Sequence, residues 1–146
     1  MKKIALSLIA GFTLLGASAA ELEWLTDLAH AKSLAKTENK LVLMDFTGSD
    51  WCPPCKQLKK NVFSSEEFAT FAKANLVLVE VDFPRAKKQS AELKKANQAL
   101  SDKFAIEAYP TVIVLSPEGK QLSKDTGYGG TGAKDFVAKL EKLTKK

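Results

Sequence analysis

Two cysteines, Cys52 and Cys55, are the residues of this chain best suited to chemistry. They are the only cysteines among the 146 residues, and they lie three positions apart in the segment Trp-Cys-Pro-Pro-Cys-Lys. A disulfide between them would close almost no loop, so it would restrict the unfolded chain little and add little stability. The pair therefore calls for a chemical explanation. Thiol–disulfide exchange fits, because one thiolate can attack a disulfide while the second resolves the mixed disulfide.

The position of the pair predicts different roles for its members. A strand and a loop precede Cys52, and a helix begins there, so unpaired N–H groups and the positive end of the helix dipole would stabilise an exposed thiolate. Cys55 lies one turn further along and should be less exposed. We predict that Cys52 is the nucleophile and Cys55 the resolving thiol. Pro53 and Pro54 between them are tolerated in a first turn, whose N–H groups have no partner within the helix, and they stiffen the loop.

A metal site is the main alternative use of a cysteine pair. Zinc takes about four ligands, and this chain has no third cysteine and one histidine. We interpret His30, which no partner motif surrounds, as an ordinary surface or core residue. The glycine-rich segment 127–132 fits G-x-G-x-x-G, but too few residues follow it for a dinucleotide-binding unit. The sequence predicts no metal and no bound cofactor, since the cysteines themselves carry the electrons.

The first twenty residues have the pattern of a secretory signal peptide. Lys2 and Lys3 precede an apolar stretch over residues 4–16, and small residues follow, with cleavage predicted after Ala19 or Ala20. Thirteen helical residues rise about 20 Å, less than the hydrocarbon core of a bilayer. An uncleaved anchor is the alternative. No later segment is long and apolar enough to span a membrane, so we expect no stable insertion after cleavage.

The remainder, residues 21–146, is long enough for one domain with its own core. Removal of Lys2 and Lys3 lowers the formal net charge from +5 to +3. The other lysines are scattered among acidic residues, which is typical of a solvated surface rather than a nucleic-acid-binding patch.

The hydrophobic pattern predicts helices and strands in alternation. Helices are expected over 27–36, 52–63, 66–74, 90–104 and 133–143, and strands over 41–46, 76–82, 111–115 and 121–126. Thr26 and Thr131 are the predicted caps of the first and last helices, and Leu93, Ala96 and Leu100 the predicted inner face of the fourth. Strands separated by helices imply parallel pairing, and the last two strands an antiparallel hairpin. The predicted fold is α/β, with a mixed four- to five-stranded sheet between helices and a short edge strand near Trp24.

From about Leu41 to its end the chain resembles the thioredoxin superfamily. The features are a strand, a loop, Trp-Cys-x-x-Cys-Lys opening a helix, and Tyr109-Pro110-Thr111 before a later strand. The stretches around Cys52 and around residues 62–68 resemble secreted bacterial thioredoxin-like proteins and, less closely, the periplasmic domain of thiol:disulfide interchange proteins. The resemblance implies a cis Pro110 facing the dithiol. It also implies a substrate-binding surface made by Trp51, Pro53, Pro54, Tyr109, Pro110 and Thr111.

Asp45 matches the buried acid that the superfamily has behind its second cysteine. Burial would raise its pKa and let it relay a proton to or from Cys55. The chain departs from the pattern here: Leu78 replaces the usual lysine of the next strand, and the loop from Asp45 to Cys52 is one residue longer. Glu80 is either a substitute partner or a solvent-facing residue, and Asp45 either a proton relay or a buried structural acid.

The sequence therefore predicts an exported thiol–disulfide oxidoreductase, periplasmic or secreted in a bacterium, that reduces the disulfides of partner proteins. An oxidising compartment keeps such a pair as a disulfide, so a reductase needs an electron donor. The resemblance suggests a membrane protein of the thiol:disulfide interchange type. The alternatives are a disulfide oxidase or isomerase, and a non-enzymatic thioredoxin-fold binding module with an inert disulfide.

Overall fold

The computed structural model describes residues 21–145, so the predicted signal peptide over 1–20 lies outside the described residues. The strands are β1 (Trp24–Leu25), β2 (Leu41–Thr47), β3 (Leu76–Asp82), β4 (Thr111–Leu115) and β5 (Gln121–Thr126). The helices are α1 (Leu28–Glu38), α2 (Pro53–Leu58), α3 (Glu66–Asn75), α4 (Ala91–Lys103) and α5 (Ala133–Thr144), with a π-helical segment over Lys59–Phe63 directly after α2. The strands and helices together make an α/β domain, as predicted.

The strands form one mixed sheet in the order β1-β3-β2-β4-β5. β1, β3 and β2 are parallel, whereas β4 is antiparallel to both β2 and β5. The expectation of parallel pairing for every strand preceded by a helix is therefore wrong for β4. The loop after α4 ends at the edge of the sheet where β2 also ends. Thr111, the first residue of β4, therefore pairs with Phe46 near the end of β2.

The core has two parts, one on each face of the sheet. Side chains alternate between the faces of a strand. Leu41 and Leu43 of β2 therefore pack with α2, α3 and α5, while Val42, Met44 and Phe46 pack with α1 and the residues around α4. The same alternation places Asp45 on the face that carries α2. The sequence thus positions one acid of a buried strand behind the helix that begins after Cys52.

Four local predictions need correction. Asp27, not Thr26, caps α1, because its carboxylate accepts from the N–H groups of residues 29 and 30. Gly132 precedes α5 without a side-chain cap, and the carbonyl of Thr131 accepts from the hydroxyl of Tyr128 instead. Ala96 is exposed, and α4 buries two polar residues, Asn97 and Ser101, against the rest of the domain. The helix predicted over 52–63 begins after Cys52 and changes to the π-helical segment at Lys59.

No helix within residues 21–145 combines the length and the apolar character needed to cross a bilayer. His30 is exposed on α1, as one of the two interpretations of this residue held.

Candidate active site

Cys52 and Cys55 form a disulfide at the start of α2, with their Cα atoms 5.3 Å apart. Cys52 is the residue before the helix, Pro53 and Pro54 occupy its first turn, and the carbonyl of Cys52 accepts from the N–H of Lys56 at 3.1 Å. Cys52 is 3% exposed and Cys55 4%. The prediction of an exposed Cys52 is therefore wrong for the oxidised protein, in which both cysteines are buried.

The loop before the disulfide is tight and leaves no room for a side chain at Gly48. The carbonyl of Gly48 accepts from the N–H groups of Trp51, at 3.2 Å, and Cys52, at 2.9 Å. A Cβ atom at Gly48 would lie 2.5 Å from Cε2 of Trp51. The indole N–H of Trp51 donates to the carbonyl of Phe83 at 2.8 Å. Hydrogen bonds therefore hold both the backbone and the ring of Trp51, the residue before Cys52.

The end of β3 holds this loop in place. Thr47 and Asp82 are register partners, so the loops that follow β2 and β3 leave the sheet side by side. The carboxylate of Asp82 accepts from the N–H of Ser49 at 2.9 Å and from its hydroxyl at 2.6 Å. Its carbonyl accepts from the side-chain amide of the buried Asn97 at 2.9 Å. Asp82 thus links the loop before the disulfide to α4.

Asp50 fixes the segment between β3 and α4. Its carboxylate accepts from the N–H groups of Arg85 at 3.0 Å, Ala86 at 2.7 Å and Lys87 at 2.9 Å. These hydrogen bonds, with those of Arg85 and Lys87 the largest causes, lower the pKa of Asp50 from 3.8 to about 2. Hydrogen bonds to the ionised form favour it, so this carboxylate stays negative at neutral pH.

Sequence reasoning missed the roles of Asp50 and Asp82. The available indication was that two adjacent parallel strands end together and bring their following loops to one edge of the sheet, which is where sites form in such folds.

The buried carboxyl group of Asp45 lies behind the disulfide. Asp45 is 7% exposed, and its Oδ1 has no hydrogen-bond partner among the described residues. Its carboxyl group lines a cavity of about 40 Å³ together with Cys55, Lys59 and Glu80. A cavity of this size has room for a water molecule or two, and polar groups line it. Asp45 and Cys55 thus face one small cavity with a polar lining.

The pKa of Asp45 is raised from 3.8 to about 8. Loss of hydration is the largest cause, followed by the negative charge of Glu80, while Lys59 lowers the pKa and Asp82 raises it. Glu80 is the register partner of Asp45 on β3 and is half-buried. Its negative charge raises the pKa of Asp45, so it acts in the opposite sense to the lysine that it would replace. The predicted rise in pKa is confirmed. The local cation is Lys59, on the π-helical segment.

The loop before β4 lies beside the loop that carries Trp51. The Tyr109–Pro110 peptide bond is cis, as predicted, and the Tyr109 ring lies edge-to-face on Trp51 with centroids 6.0 Å apart. Among the described residues, the backbone N–H and C=O of Tyr109 make no hydrogen bond. Thr111 is fully buried and its hydroxyl donates to the carbonyl of Ala108 at 2.7 Å. The expectation that Thr111 contacts substrate is therefore wrong for its side chain, which supports the loop from inside.

The structure brings together Cys52, Cys55, Asp45, Trp51 and Tyr109. Within residues 21–145, no three side chains of the histidine, cysteine, aspartate and glutamate types are grouped as metal ligands. The arrangement can perform dithiol–disulfide exchange: it has a sulfur pair at a helix start, a proton-binding group behind one sulfur, and an unpaired backbone segment beside the other.

Comparison with known proteins supports the same chemistry. The family described as the thioredoxin-like domain matches residues 28–144. The chain is 34% identical over 128 residues to the disulfide bond reductase DsbH of Chlamydia pneumoniae, covering 88% of this chain and 76% of that protein. It is 27% identical over 127 residues to the thiol:disulfide interchange protein DsbD of Pasteurella multocida, covering 86% of this chain but 20% of that protein. The alignment thus includes only a small part of DsbD.

Solved structures agree. A structure of a DsbH oxidoreductase aligns with a TM-score of 0.80 and 32% identity, over 93% of this chain and 95% of that one. A thioredoxin from Thermus thermophilus aligns with a TM-score of 0.62 at 19% identity, over 84% of this chain and 87% of that one, and shows the shared fold.

Proposed function

The chain belongs to the family of thioredoxin-like domains, and we propose on this premise that it is an exported thiol–disulfide oxidoreductase that works as a reductase of protein disulfides. One observation carries the proposal: a two-cysteine disulfide at the start of α2, beside a cis-proline loop whose backbone at Tyr109 is unpaired among the described residues. The name of the DsbH relative, a disulfide bond reductase, favours the reducing direction.

The reaction begins with the reduced dithiol. The Cys52 thiolate attacks one sulfur of a substrate disulfide, so a Cys52–substrate bond forms, the substrate S–S bond breaks, and one substrate thiolate leaves. Cys55 then gives up its proton and attacks the Cys52 sulfur. The Cys52–Cys55 disulfide forms, the second substrate thiolate leaves, and both substrate thiolates take up protons. Two electrons have passed from the protein to the substrate. Of the two protons taken up by the substrate, one balances the Cys55 proton and the other balances the proton that Cys52 released to solvent when its thiolate formed.

Asp45 is the proposed acceptor and donor of the Cys55 proton. Because the pKa of Asp45 is raised to about 8, the oxidised protein at neutral pH holds this group mainly in its neutral form. When a donor reopens the disulfide, Cys55 leaves as a thiolate and takes this proton through the shared cavity. In substrate reduction the proton moves in the opposite direction. The alternative, a buried structural acid, predicts that Asp45→Asn leaves the pH dependence of disulfide reduction unchanged.

The substrate is proposed to bind as an extended peptide across the cis-proline loop. The unpaired N–H and C=O of Tyr109 can form backbone hydrogen bonds with it, in the manner of strand addition. Trp51 and the exposed ring of Pro53, with Pro54 behind it, would contact its side chains. The peptide sulfur would then lie next to Cys52, which reduction of the Cys52–Cys55 bond makes available as a thiolate.

The proposed compartment is the periplasm or the exterior of a bacterial cell, from the signal-peptide pattern over 1–20. An oxidising compartment returns the dithiol to a disulfide, so the reductase needs a supply of two electrons per turnover. The proposed supplier is a membrane protein that carries a dithiol, of the thiol:disulfide interchange type. Amino-terminal sequencing of the protein from a periplasmic fraction tests export, and it should begin at Ala20 or Glu21.

The decisive test is reduction of insulin coupled to dithiothreitol, with Cys52→Ser as the matched variant. A reductase accelerates the reaction and Cys52→Ser abolishes it. Cys55→Ser should instead trap a mixed disulfide with insulin, which separates the resolving thiol from the nucleophile. No acceleration by the wild-type protein would favour the binding-module alternative.

The direction of electron flow is tested by the reduction potential of the Cys52–Cys55 couple, measured against glutathione. A value near about −270 mV supports a reductase, whereas one near about −120 mV would support an oxidase and contradict the proposed direction.

A further inference from the structure

Of the three exposed cations between β3 and α4, two contact the loop that precedes Cys52. The guanidinium carbon of Arg85 lies 3.8 Å from the ring centroid of Trp51, the residue before Cys52. The ammonium group of Lys87 donates to the hydroxyl of Ser49 at 3.0 Å, in the same loop as Trp51. Both side chains are exposed to solvent. Both positive charges therefore contact the loop that leads into Cys52.

The acids nearest to these cations are already used by other donors. Asp50 accepts from three backbone N–H groups, and Asp82 accepts from the N–H and the hydroxyl of Ser49. Glu107, on the loop before the cis-proline, is exposed and makes no ion pair with Arg85. The ion pairs found within residues 21–145 join other parts of the chain. This surface thus presents cations whose carboxylate partner the described residues do not supply.

We propose that Trp51, Arg85 and Lys87, here called the Arg85 surface, select protein substrates that carry an acidic side chain next to the disulfide. The inference rests on the proposed function, because it concerns the partner of the same dithiol. The Arg85 guanidinium lies over the Trp51 ring, and its N–H groups donate no hydrogen bond to another described residue. A guanidinium edge matches a carboxylate with two parallel hydrogen bonds, which a lysine cannot reproduce.

The backbone of the Arg85 surface is held by hydrogen bonds, so its charges can favour an acid at one position of the substrate. Asp50 holds the N–H groups of Arg85 and Lys87, so the base of each side chain keeps its position relative to Cys52. A substrate acid one or two residues from its cysteine would meet Arg85 when the sulfur meets Cys52. Because the surface is exposed, the gain is modest and depends on salt, and it acts mainly on association.

The test uses two synthetic peptides, each with one internal disulfide, that differ only in having glutamate or glutamine next to the cysteine attacked. The rate constant for their reduction by the pre-reduced full-length protein is measured in single turnover. At low ionic strength the glutamate peptide should react about threefold faster, and the difference should vanish in about 1 M salt. Arg85→Gln should remove the preference, so that the two peptides react at equal rates whatever the variant's absolute rate. Arg85→Lys should keep part of it.

Lys88→Gln is the matched control, since it removes the same charge from an exposed neighbour in the same segment. The preference should persist in this variant. Equal rates for the two peptides with the wild-type protein would overturn the inference. A preference that survives Arg85→Gln would also overturn it, and so would a preference that Lys88→Gln removes equally. Either result would mean that Arg85 does not bind the acidic side chain of the substrate. Failure to reduce either peptide would instead refute the proposed function.

Discussion

The buried carboxyl group of Asp45 predicts a pH dependence of stability that one substitution should remove. Asp45 is 7% exposed, and burial first and the charge of Glu80 second raise its pKa from 3.8 to about 8. Between these two values the folded chain binds a proton that the unfolded chain has released. This contribution to stability is therefore fully present below pH 4 and is lost as the pH rises toward 8.

Asp45→Asn keeps the shape of the side chain and makes it neutral at every pH. Each pH unit within the interval costs the wild-type protein about 1.4 kcal/mol relative to this variant. With a folded pKa of about 8, the wild-type protein should lose about 2 to 3 kcal/mol relative to Asp45→Asn between pH 5 and pH 7. The wild-type protein loses stability as the pH rises because the buried site favours the neutral form of Asp45.

The assay is urea unfolding of the oxidised wild-type protein and of Asp45→Asn at pH 5, 6 and 7. Groups distant from Asp45 cancel in the comparison, so the difference in free energy of unfolding reports Asp45 together with the charges coupled to it. Asp135→Asn, at an exposed position on α5, is the control and should give a flat difference over this range. A difference between wild type and Asp45→Asn that stays constant from pH 5 to pH 7 would refute the reasoning.

Other residues around the disulfide give further predictions. Glu80→Gln removes a charge that raises the pKa of the buried aspartate, so it should shift this pH window downward, whereas Lys59→Gln should shift it upward. Lys60→Gln, exposed on the same π-helical segment, should leave the window in place in the same urea series. Gly48→Ala puts a Cβ atom 2.5 Å from an indole carbon, so it should destabilise the protein by about 1–3 kcal/mol and change the tryptophan fluorescence. Asp50→Asn weakens the acceptor for three backbone N–H groups, so these amides should exchange hydrogen faster, as measured by NMR.

The strands could be predicted closely from the sequence because most are continuous apolar runs between breaking residues. β3, β4 and β5 have the predicted bounds, and β2 extends one residue further, to Thr47. The direction of β4 could not be predicted, since it depends on where the loop after α4 returns to the sheet. The cap of α1 was ambiguous because Thr26 and Asp27 are adjacent and both residue types cap helices. Only the geometry shows that Asp27 reaches the free N–H groups.

The site was predictable where residue type and position in an element are sufficient. The cysteines follow from their spacing and Asp45 from the resemblance to the thioredoxin superfamily. Asp45 is buried as expected, whereas Cys52 is buried and not exposed in the oxidised protein. The surroundings were not predictable, because they depend on contacts between distant segments. The contact of Arg85 with Trp51 joins residues 34 positions apart and follows from the β2–β3 register and from the hydrogen bonds of Asp50.

Different residues surround the two cysteines, but Asp82 interacts with both sets of residues. Asp45 and Glu80 line the cavity behind Cys55, whereas Arg85 lies on the Cys52 side. Glu80→Gln should therefore change the pH window without changing the peptide preference, and Arg85→Gln should do the opposite. Asp82 raises the pKa of Asp45 and also binds Ser49 in the loop that carries Trp51. Asp82→Asn should accordingly change both readouts, and an effect on only one of them would contradict a shared role.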